Sequence, residues 1–264
     1  MAAVLETQTE WLEHLPFTTN AGADRRARIG IVVLDSDYTV EHELTELWRD
    51  VPGVERFVSR IRFGAHVSVD SLAAMGPMIT ETADRILAPG EISVLAYGCT
   101  SATAVMGEAR IRELLQAARP DAETTSPLIA GRVACTALGA RRIAVLTPYP
   151  RVVNERVWQY FDQAGFEIPV FGSFNEPFDP TVAAIDTKSL SDAIERMLEK
   201  HDADTVFVSC TSIRIAAAIP ELEARFGIPI TSSNHAMGWH CLRLTGIDDL
   251  LLEHGKLFGL PLKD

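Results

Sequence analysis

The stretch SVLAYGCTS, residues 93–101, returns later in the chain as TVFVSCTS, residues 205–212. Each copy of this cysteine motif is an apolar, β-branched run that predicts a buried strand, and each ends in Cys-Thr-Ser. The residues after each copy predict a helix, so the thiols of Cys99 and Cys210 are expected where a strand ends and a helix begins. Two thiols in equivalent places indicate one site that is built from two halves.

Strands and helices alternate along the chain after residue 27. Apolar runs and alternating patterns predict strands over residues 28–34, 57–63, 92–97, 142–147, 167–172, 205–208 and 227–231. Helical spacing predicts helices over residues 40–49, 69–87, 102–118, 128–138, 152–164, 189–200 and 213–226, and a closing helix from about residue 235. Residues 120–127 and 173–181 are predicted loops, the second long enough to cover a site. This alternation predicts parallel sheets with right-handed crossovers.

The chain also looks internally duplicated. Arg28 begins a unit that ends at Cys99, and Arg142 begins a unit of similar length that ends at Cys210. We therefore predict an α/β fold with two pseudo-symmetric lobes, each a doubly wound parallel sheet, and a site in the cleft between them. The predicted divisions are an N-terminal arm at residues 1–27, a first lobe at 28–125 plus 232–264, and a second lobe at 126–231.

Composition excludes several classes of function. The chain has 264 residues, 47% of them hydrophobic, and a formal net charge of -12 without a basic stripe, which argues against a nucleic-acid surface. No apolar run is long enough to span a membrane, and the N-terminal residues do not resemble a secretory signal. We therefore expect a cytoplasmic protein with reduced cysteines. No Cys/His spacing suits zinc, and His235 and His240 lack a carboxylate at ligand spacing, so no metal is expected.

The residue types of the two motifs suit carbon chemistry. A helix N-terminus lowers the pKa of a thiol, and its free N–H groups bind a carboxylate or an enolate. Thr100, Ser101, Thr211 and Ser212 add hydroxyl donors. One thiolate could remove a proton while the other thiol delivers one, or one could add to a carbon and later leave, without a cofactor. The alternative is that both cysteines are core residues beneath two strands.

The paired motifs and the duplicated α/β units resemble the aspartate/glutamate racemase superfamily over nearly all of the chain after residue 27. Within it the chain is most similar to the branch of maleate isomerases and arylmalonate decarboxylases, with the related ectoine-utilisation proteins. Decarboxylases keep only the second cysteine, whereas this chain has both. The resemblance implies two lobes, cofactor-free catalysis by two cysteines, a small carboxylate substrate and a homo-oligomer, which the N-terminal arm could serve.

Two further stretches carry the resemblance. VLDSDYT at residues 33–39 is similar to the isomerase stretch that binds a substrate carboxylate, and TPY at residues 147–149 is similar to its tyrosine-bearing stretch. They make Asp35, Ser36, Asp37 and Tyr149 expected substrate contacts, although Tyr149 could instead anchor its loop.

The resemblance also shows two departures. The isomerases have asparagine at the places of Asp37 and Asp179, and an ionised aspartate cannot donate a hydrogen bond to a carboxylate. Our hypothesis is that the substrate carries a basic nitrogen beside its carboxylate, as aspartate and ectoine-derived amino acids do.

Several alternatives stay open at this point. The chain could be an isomerase or racemase, a decarboxylase or lyase of a malonate-like acid, or a two-lobed protein that only binds a small carboxylate.

Glu41 and Glu43 are expected on a solvated helix face. The segment 233–235 could reach the cleft, or Ser232 or Ser233 could cap the last helix. The apolar residues of the arm could form a short docked helix or a partly ordered tail.

Overall fold

The computed structural model describes residues 11–19, 25–88 and 90–262, and contains two parallel sheets with the same spatial order. The first sheet has the order β2-β1-β3-β4, with β1 (Ala27–Leu34), β2 (Val54–Ile61), β3 (Val94–Gly98) and β4 (Glu123–Thr125). The second has the order β6-β5-β7-β8, with β5 (Arg142–Thr147), β6 (Glu167–Ser173), β7 (Thr205–Val208) and β8 (Ile230–Ser232). The predicted two-part α/β architecture is confirmed.

Helices connect the strands and cover the sheets. They are α1 (Val40–Leu47), α2 (Val69–Ala73), α3 (Gly76–Asp84), α4 (Thr100–Met106), α5 (Glu108–Ala118), α6 (Pro127–Leu138), α7 (Arg151–Gln163), α8 (Asp179–Ala183), α9 (Thr187–Leu198), α10 (Ile219–Phe226) and α11 (Ser233–Leu244). Short 3₁₀ turns lie at Ala216–Ala218, Leu252–His254 and Lys256–Gly259. None of the helices in the described part of the chain is long and apolar enough to cross a membrane.

The burial of the inner strands explains why the sequence predicts them accurately. Every residue of β3 and of β7 is buried, and β1 is buried at all but one position. Helices on both faces of a parallel sheet exclude water from both sides of an inner strand, so its sequence is a continuous apolar run. The edge strands β2 and β6 are only partly buried, and their sequences are accordingly more mixed.

Several predicted elements differ from the structure. The helix predicted over 69–87 is two helices, because Ser68 caps α2 by accepting a hydrogen bond from the Ser71 peptide and Pro77 lies at the start of α3. Gly107, with a φ of 88°, divides the helix predicted over 102–118. The predicted loops hide the three-residue strand β4 and the short helix α8.

The last long helix contacts strands of both sheets. Helix α11 packs against α1 and α6 and contacts β3 and β4 as well as β8. The contacts of α11 with β3 and β4 agree with its predicted place in the first lobe. The boundaries at residues 125, 126 and 232 stay a prediction.

The N-terminal arm is described only in part. Residues 11–19 contain no helix, and Trp11, Leu12, Leu15 and Phe17 are exposed, so the predicted helix is not formed in that part. Residues 1–10 and 20–24 lie outside the described residues. The arm meets the body at Arg26, whose guanidinium donates two 2.6 Å hydrogen bonds to the Asp249 carboxylate.

A glycine in α6 permits its close approach to the second sheet. A Cβ at Gly131 would lie 2.6 Å from ring atoms of Phe207, which is fully buried in β7 and packs near Phe161. We predict that Gly131→Ala lowers the free energy of unfolding by about 1–3 kcal/mol, because the ring has no room to move. Urea unfolding would measure this. Gly76→Ala is the matched control, since its Cβ would meet only the flexible end of Met106.

Candidate active site

The carboxyl ends of β3 and β7 meet at one small, nearly filled cavity. Its walls contain both motif cysteines, their hydroxyl neighbours, one tyrosine, one aspartate and three apolar side chains. These are Leu34, Phe63, Val67, Cys99, Thr100, Ser101, Tyr149, Asp179, Cys210, Thr211 and Ser212. The structure thus brings the two motifs together around a cavity with room for about one water molecule, so a substrate has to widen it. Larger hollows lie elsewhere on the surface but contain neither cysteine.

Cys99 lies where the sequence predicts it, between a strand and a helix. It is the N-cap of α4, and its Sγ accepts a hydrogen bond from the Ala102 peptide N–H at 3.4 Å. The Ser101 hydroxyl is 3.6 Å from the same sulfur. The expected lowering of the thiol pKa is wrong for this closed site, however. Burial raises the pKa of Cys99 to about 12, because loss of water disfavours the thiolate more than the helix N–H stabilises it.

Cys210 does not open a helix, contrary to the sequence prediction. Residues 211–215 form a loop, and α10 begins only at Ile219. Cys210 has a φ of 144°, a strained backbone conformation for a residue with a side chain, which costs about 1–3 kcal/mol. Burial, with the Asp179 charge, raises the pKa of the Cys210 thiol, whereas the Ser212 peptide N–H and the Tyr149 hydroxyl act in the opposite direction.

One hydroxyl joins the two motifs. Ser233 Oγ accepts a 2.9 Å hydrogen bond from the Cys210 peptide N–H and is 2.8 Å from Thr100 Oγ1. Ser232 performs the capping of α11, since its Oγ accepts a hydrogen bond from the His235 peptide. Ser233 is therefore free to bond to both cysteine motifs. Helix capping and contact with the site, the two alternatives for this segment, are thus made by neighbouring serines.

Tyr149 follows β5 and is 1% exposed. Its carbonyl oxygen anchors the loop, accepting 2.7 Å hydrogen bonds from Asn154 Nδ2 and from the Ser173 hydroxyl. Its side chain lines the cavity beside Cys210, and burial raises the pKa of the phenol well above its usual range. The phenol thus stays protonated at neutral pH and available as a hydrogen-bond donor.

Two acidic side chains are buried beside the thiols. The Ser36 hydroxyl donates a 2.6 Å hydrogen bond to Asp179 Oδ2, which is in the cavity wall. Asp37 Oδ1 accepts from the peptides of Thr39 and Val40 at 2.7 and 2.9 Å, whereas its buried Oδ2 has no hydrogen-bond partner in the described structure. Burial raises the pKa of Asp179 to about 6 and also raises the pKa of Asp37.

Asp35 is not brought together with the other predicted contacts. Its side chain is exposed, and Oδ1 accepts a 3.0 Å hydrogen bond from the Phe63 peptide N–H. Of the DSD sequence only Ser36 and Asp37 are buried, and they lie behind the cavity wall and do not line it. Asp35 instead braces the end of β2 beside the first sheet.

Two loops meet above the cavity and form a contact that we call the latch, residues 65–67 with 177–179. The Val67 peptide N–H donates to the Pro177 carbonyl at 2.8 Å, and the Asp179 N–H donates to the Ala65 carbonyl at 3.0 Å. The rings of His66 and Phe178 are 4.8 Å apart. The second loop belongs to the segment predicted to be long enough to cover a site, and its Asp179 carboxylate enters the cavity from this latch.

The remaining histidines near the site have structural partners. His235 contacts the Thr231 hydroxyl and the His254 carbonyl, and His240 contacts the Thr125 hydroxyl at 2.8 Å. Burial lowers the pKa of each ring to about 4, so both are neutral at pH 7. Among the residues that the structure describes, no group of His, Cys, Asp and Glu side chains could hold a metal ion.

The sequence reasoning missed two kinds of residue. Phe63 and Val67 form apolar walls of the cavity, but apolar residues after a strand carry no functional signal. Glu43, expected on a solvated face, is buried at 4% exposure, whereas Glu41 stays at the surface with Arg60. A signal for Glu43 was present, since it lies on the same face of α1 as Val40, Leu44 and Leu47.

Comparisons with known proteins agree with this geometry. The family model of arylmalonate decarboxylase matches residues 66–258. The maleate isomerase of Nocardia farcinica is 31% identical over 243 residues, which cover 87% of this chain and 94% of that protein. The crystal structure of the maleate isomerase Iso from Pseudomonas putida S16 matches with a TM-score of 0.81 and 26% identity, over 88% of this chain and 98% of that one.

A further solved relative is a cysteine mutant of the Nocardia farcinica maleate cis-trans isomerase with a covalently bound succinylcysteine intermediate. It matches with a TM-score of 0.80 and 26% identity, over 88% of this chain and 98% of that one. The resemblance drawn from the paired cysteines is confirmed. The chain is an isomerase, and it belongs to the arylmalonate decarboxylase family of the aspartate/glutamate racemase superfamily.

Proposed function

We propose that this protein is a cofactor-independent isomerase or racemase of a small carboxylic acid, with Cys99 and Cys210 acting from two walls of one cavity. The single observation that carries the proposal is that two thiols from equivalent strand ends line the same small cavity. The covalent succinylcysteine in the Nocardia farcinica relative supports bond formation between a cysteine and the substrate. Thr100, Ser101, Tyr149, Thr211 and Ser212 supply the donors for a substrate carboxylate.

The proposed cis-trans reaction balances without any other reagent. The sulfur of one thiolate bonds to an alkene carbon, and the π electron pair takes up the proton of the other thiol at the adjacent carbon, while the hydroxyl donors stabilise the charge that develops on the carboxylate. Rotation about the resulting single bond comes next. The second cysteine then takes back a proton from the adjacent carbon, the double bond reforms and the carbon–sulfur bond breaks. In the racemase variant, one thiolate removes the α-proton and the other thiol delivers a proton to the opposite side.

Before substrate binds, the site does not hold a thiolate ready. Burial raises the pKa of both thiols, so the cysteines are protonated at neutral pH. Deprotonation therefore has to accompany substrate binding, and the Asp179 carboxylate in the cavity wall can accept the thiol proton. This makes the thiols unreactive until the cavity is filled.

We further propose that the substrate carries a basic nitrogen. Asp37 and Asp179 place two acidic groups beside the cavity, and Asp37 Oδ2 lacks a hydrogen-bond partner among the described residues. A dicarboxylate would meet repulsion there when the acids are ionised, whereas an ammonium or amidine would be attracted. Aspartate and ectoine-derived amino acids fit this description. The cytoplasmic location stays a prediction from the composition, and the homo-oligomeric state stays a prediction of the family resemblance.

Removing either thiol should abolish turnover. We predict that Cys99→Ala and Cys210→Ala each lower kcat by about 10³-fold or more, because either chemistry needs both walls. Cys241→Ala is the control, since that thiol is fully buried away from the cavity. Circular dichroism would verify the fold of each variant. Full activity of Cys99→Ala would refute the two-thiol mechanism.

A substrate panel in deuterated water separates the candidate reactions. We expect an amino acid with a basic nitrogen to be turned over at least 10-fold faster than maleate, and we expect Asp37→Asn to shift this ratio toward maleate. A label at the α-carbon of an otherwise unchanged acid indicates racemisation, and a changed alkene geometry, with or without label, indicates cis-trans isomerisation. Released carbon dioxide would instead make the chain a decarboxylase, and binding without turnover would make it a sensor. Rapid turnover of maleate by the unaltered protein would contradict the basic nitrogen.

Asp179 should make stability depend on pH. Its pKa is about 6 in the folded protein and near 3.8 when unfolded. Between these values the folded state binds more protons, so the free energy of unfolding falls as pH rises from about 4 to about 6. Asp179→Asn keeps an oxygen that accepts the hydrogen bond from Ser36. It removes the ionisation that lowers the free energy of unfolding as the pH rises. We predict that the variant is up to about 3 kcal/mol more stable at pH 7.5 and nearly equal at pH 4.

Urea unfolding at both pH values measures the Asp179 effect. Asp35→Asn is the control, because that carboxylate is exposed on the same turn as Ser36. If the Asp179 variant and the unaltered protein lose the same stability between pH 4 and pH 7.5, a group other than Asp179 causes the loss.

A further inference from the structure

Glu43 holds the loop that follows Cys210, although it comes from a helix beside the first sheet. Its Oε1 accepts hydrogen bonds from the peptide N–H groups of Ile215 and Ala216, both at 2.7 Å. Its Oε2 accepts a 2.8 Å hydrogen bond from Asn234 Nδ2. The carboxylate is thus nearly out of contact with water, and donors face both of its oxygens.

Asn234 connects Glu43 to the other end of the loop by a further hydrogen bond. Its Nδ2 also donates a 2.8 Å hydrogen bond to the carbonyl of Thr211, the residue directly after Cys210. Glu43 and Asn234 therefore hold residues 211 and 215–216 at the same time. A further cross-connection comes from the Thr39 hydroxyl, which donates to the Ser212 carbonyl at 2.9 Å.

The loop needs such support because Cys210 has an unfavourable backbone conformation, with a φ of 144°. A residue with a side chain stays at such an angle only where its surroundings determine it. In the absence of a helix after Cys210, the loop has no regular hydrogen bonding of its own to do this. The buried carboxyl group of Glu43 accepts three of the hydrogen bonds that support the loop, two from its peptides and one from Asn234.

We propose that Glu43 is a positioning residue, which through the loop peptides and Asn234 fixes the direction of the Cys210 thiol in the cavity. The inference rests on the proposed function, in which Cys210 must reach a substrate carbon. Glu43 itself does not line the cavity. Its effect is therefore expected on the chemical step more than on substrate binding.

Glu43→Gln is the most conservative test. The amide oxygen can still accept from Ile215 and Ala216, but the amide nitrogen then opposes the donor Nδ2 of Asn234, so the hold on Thr211 is lost. We expect kcat to fall about 10- to 100-fold while KM changes less than about 3-fold. The matched control is Glu46→Gln on the same helix, which removes only a surface ion pair with Arg49.

A second measurement does not depend on catalysis. The rate of alkylation of each cysteine by iodoacetamide is followed by peptide mass spectrometry, with Cys99 as the reference within the same molecule. We expect Glu43→Gln to raise the ratio of the Cys210 rate to the Cys99 rate by about 5-fold or more, because only the Cys210 loop is released. In the double variant with Asn234→Asp, the amide nitrogen gains an acceptor, but the carboxylate cannot donate to the Thr211 carbonyl, so the ratio should stay raised.

The outcomes separate the possible failures. An unchanged ratio, or an equal rise at Cys99, Cys135, Cys210 and Cys241, overturns the proposal, since general destabilisation would expose all four thiols. If no acid is turned over but the ratio rises as expected, the proposed function fails and the positioning of Cys210 stands. Should Glu43→Gln not fold, Asn234→Ser removes the bonds to Thr211 and to Glu43 Oε2, leaves those of Glu43 Oε1 to Ile215 and Ala216 in place, and is judged by the same ratio.

Discussion

The site depends on one hydroxyl group that belongs to neither cysteine motif. Ser233 Oγ holds the Cys210 peptide on one side and the Thr100 hydroxyl on the other, so it fixes how the ends of two separate sheets face each other. The hydroxyl can do this because Ser232 takes over the capping of α11. Two thiols at the ends of two strands become one site only if such a bridge sets their relative position.

Removal of water is the second constraint on the site. The cavity is small, and both thiols, the phenol and both aspartates around it are nearly inaccessible to solvent. In such a place the neutral forms of these acids are favoured over their charged forms. The chain as a whole carries a net charge of -12, so its overall field does not attract an anion. Recognition of a carboxylate must therefore come from short-range hydroxyl and peptide donors around the thiols.

Burial on both faces of a sheet made the inner strands the most accurately predicted elements. Strands β1, β3, β5 and β7 are continuous apolar runs, and both cysteines lie directly after such runs. The spacing of the two units then placed the thiols in one site. Helix ends were less accurate, because Ser68 and Gly107 interrupt apolar patterns that continue on both sides of them.

Other features depend on contacts between distant parts of the chain and could not be predicted in this way. The partners of Glu43 lie on a loop more than a hundred residues later, so its place on the apolar face of α1 indicates that it is buried but not what it holds. The pKa of Cys99 depends on how completely Asp179 and the apolar walls exclude water, which strand and helix patterns do not report. Asp35 and Asp37 look equivalent in the sequence, and only the direction of the turn distinguishes them.

The latch has a consequence for how the protein survives oxidants. Electrophiles and peroxides attack thiolates rather than thiols. With the latch formed, Asp179 is held in the cavity wall through its hydrogen bond to Ala65, and its charge raises the pKa of both cysteines. The resting protein thus keeps its cysteines covered and protonated at once. A separation of the two loops would uncover the thiols and withdraw the negative charge together, so a substrate that keeps the latch closed would protect the thiols as well as react with them.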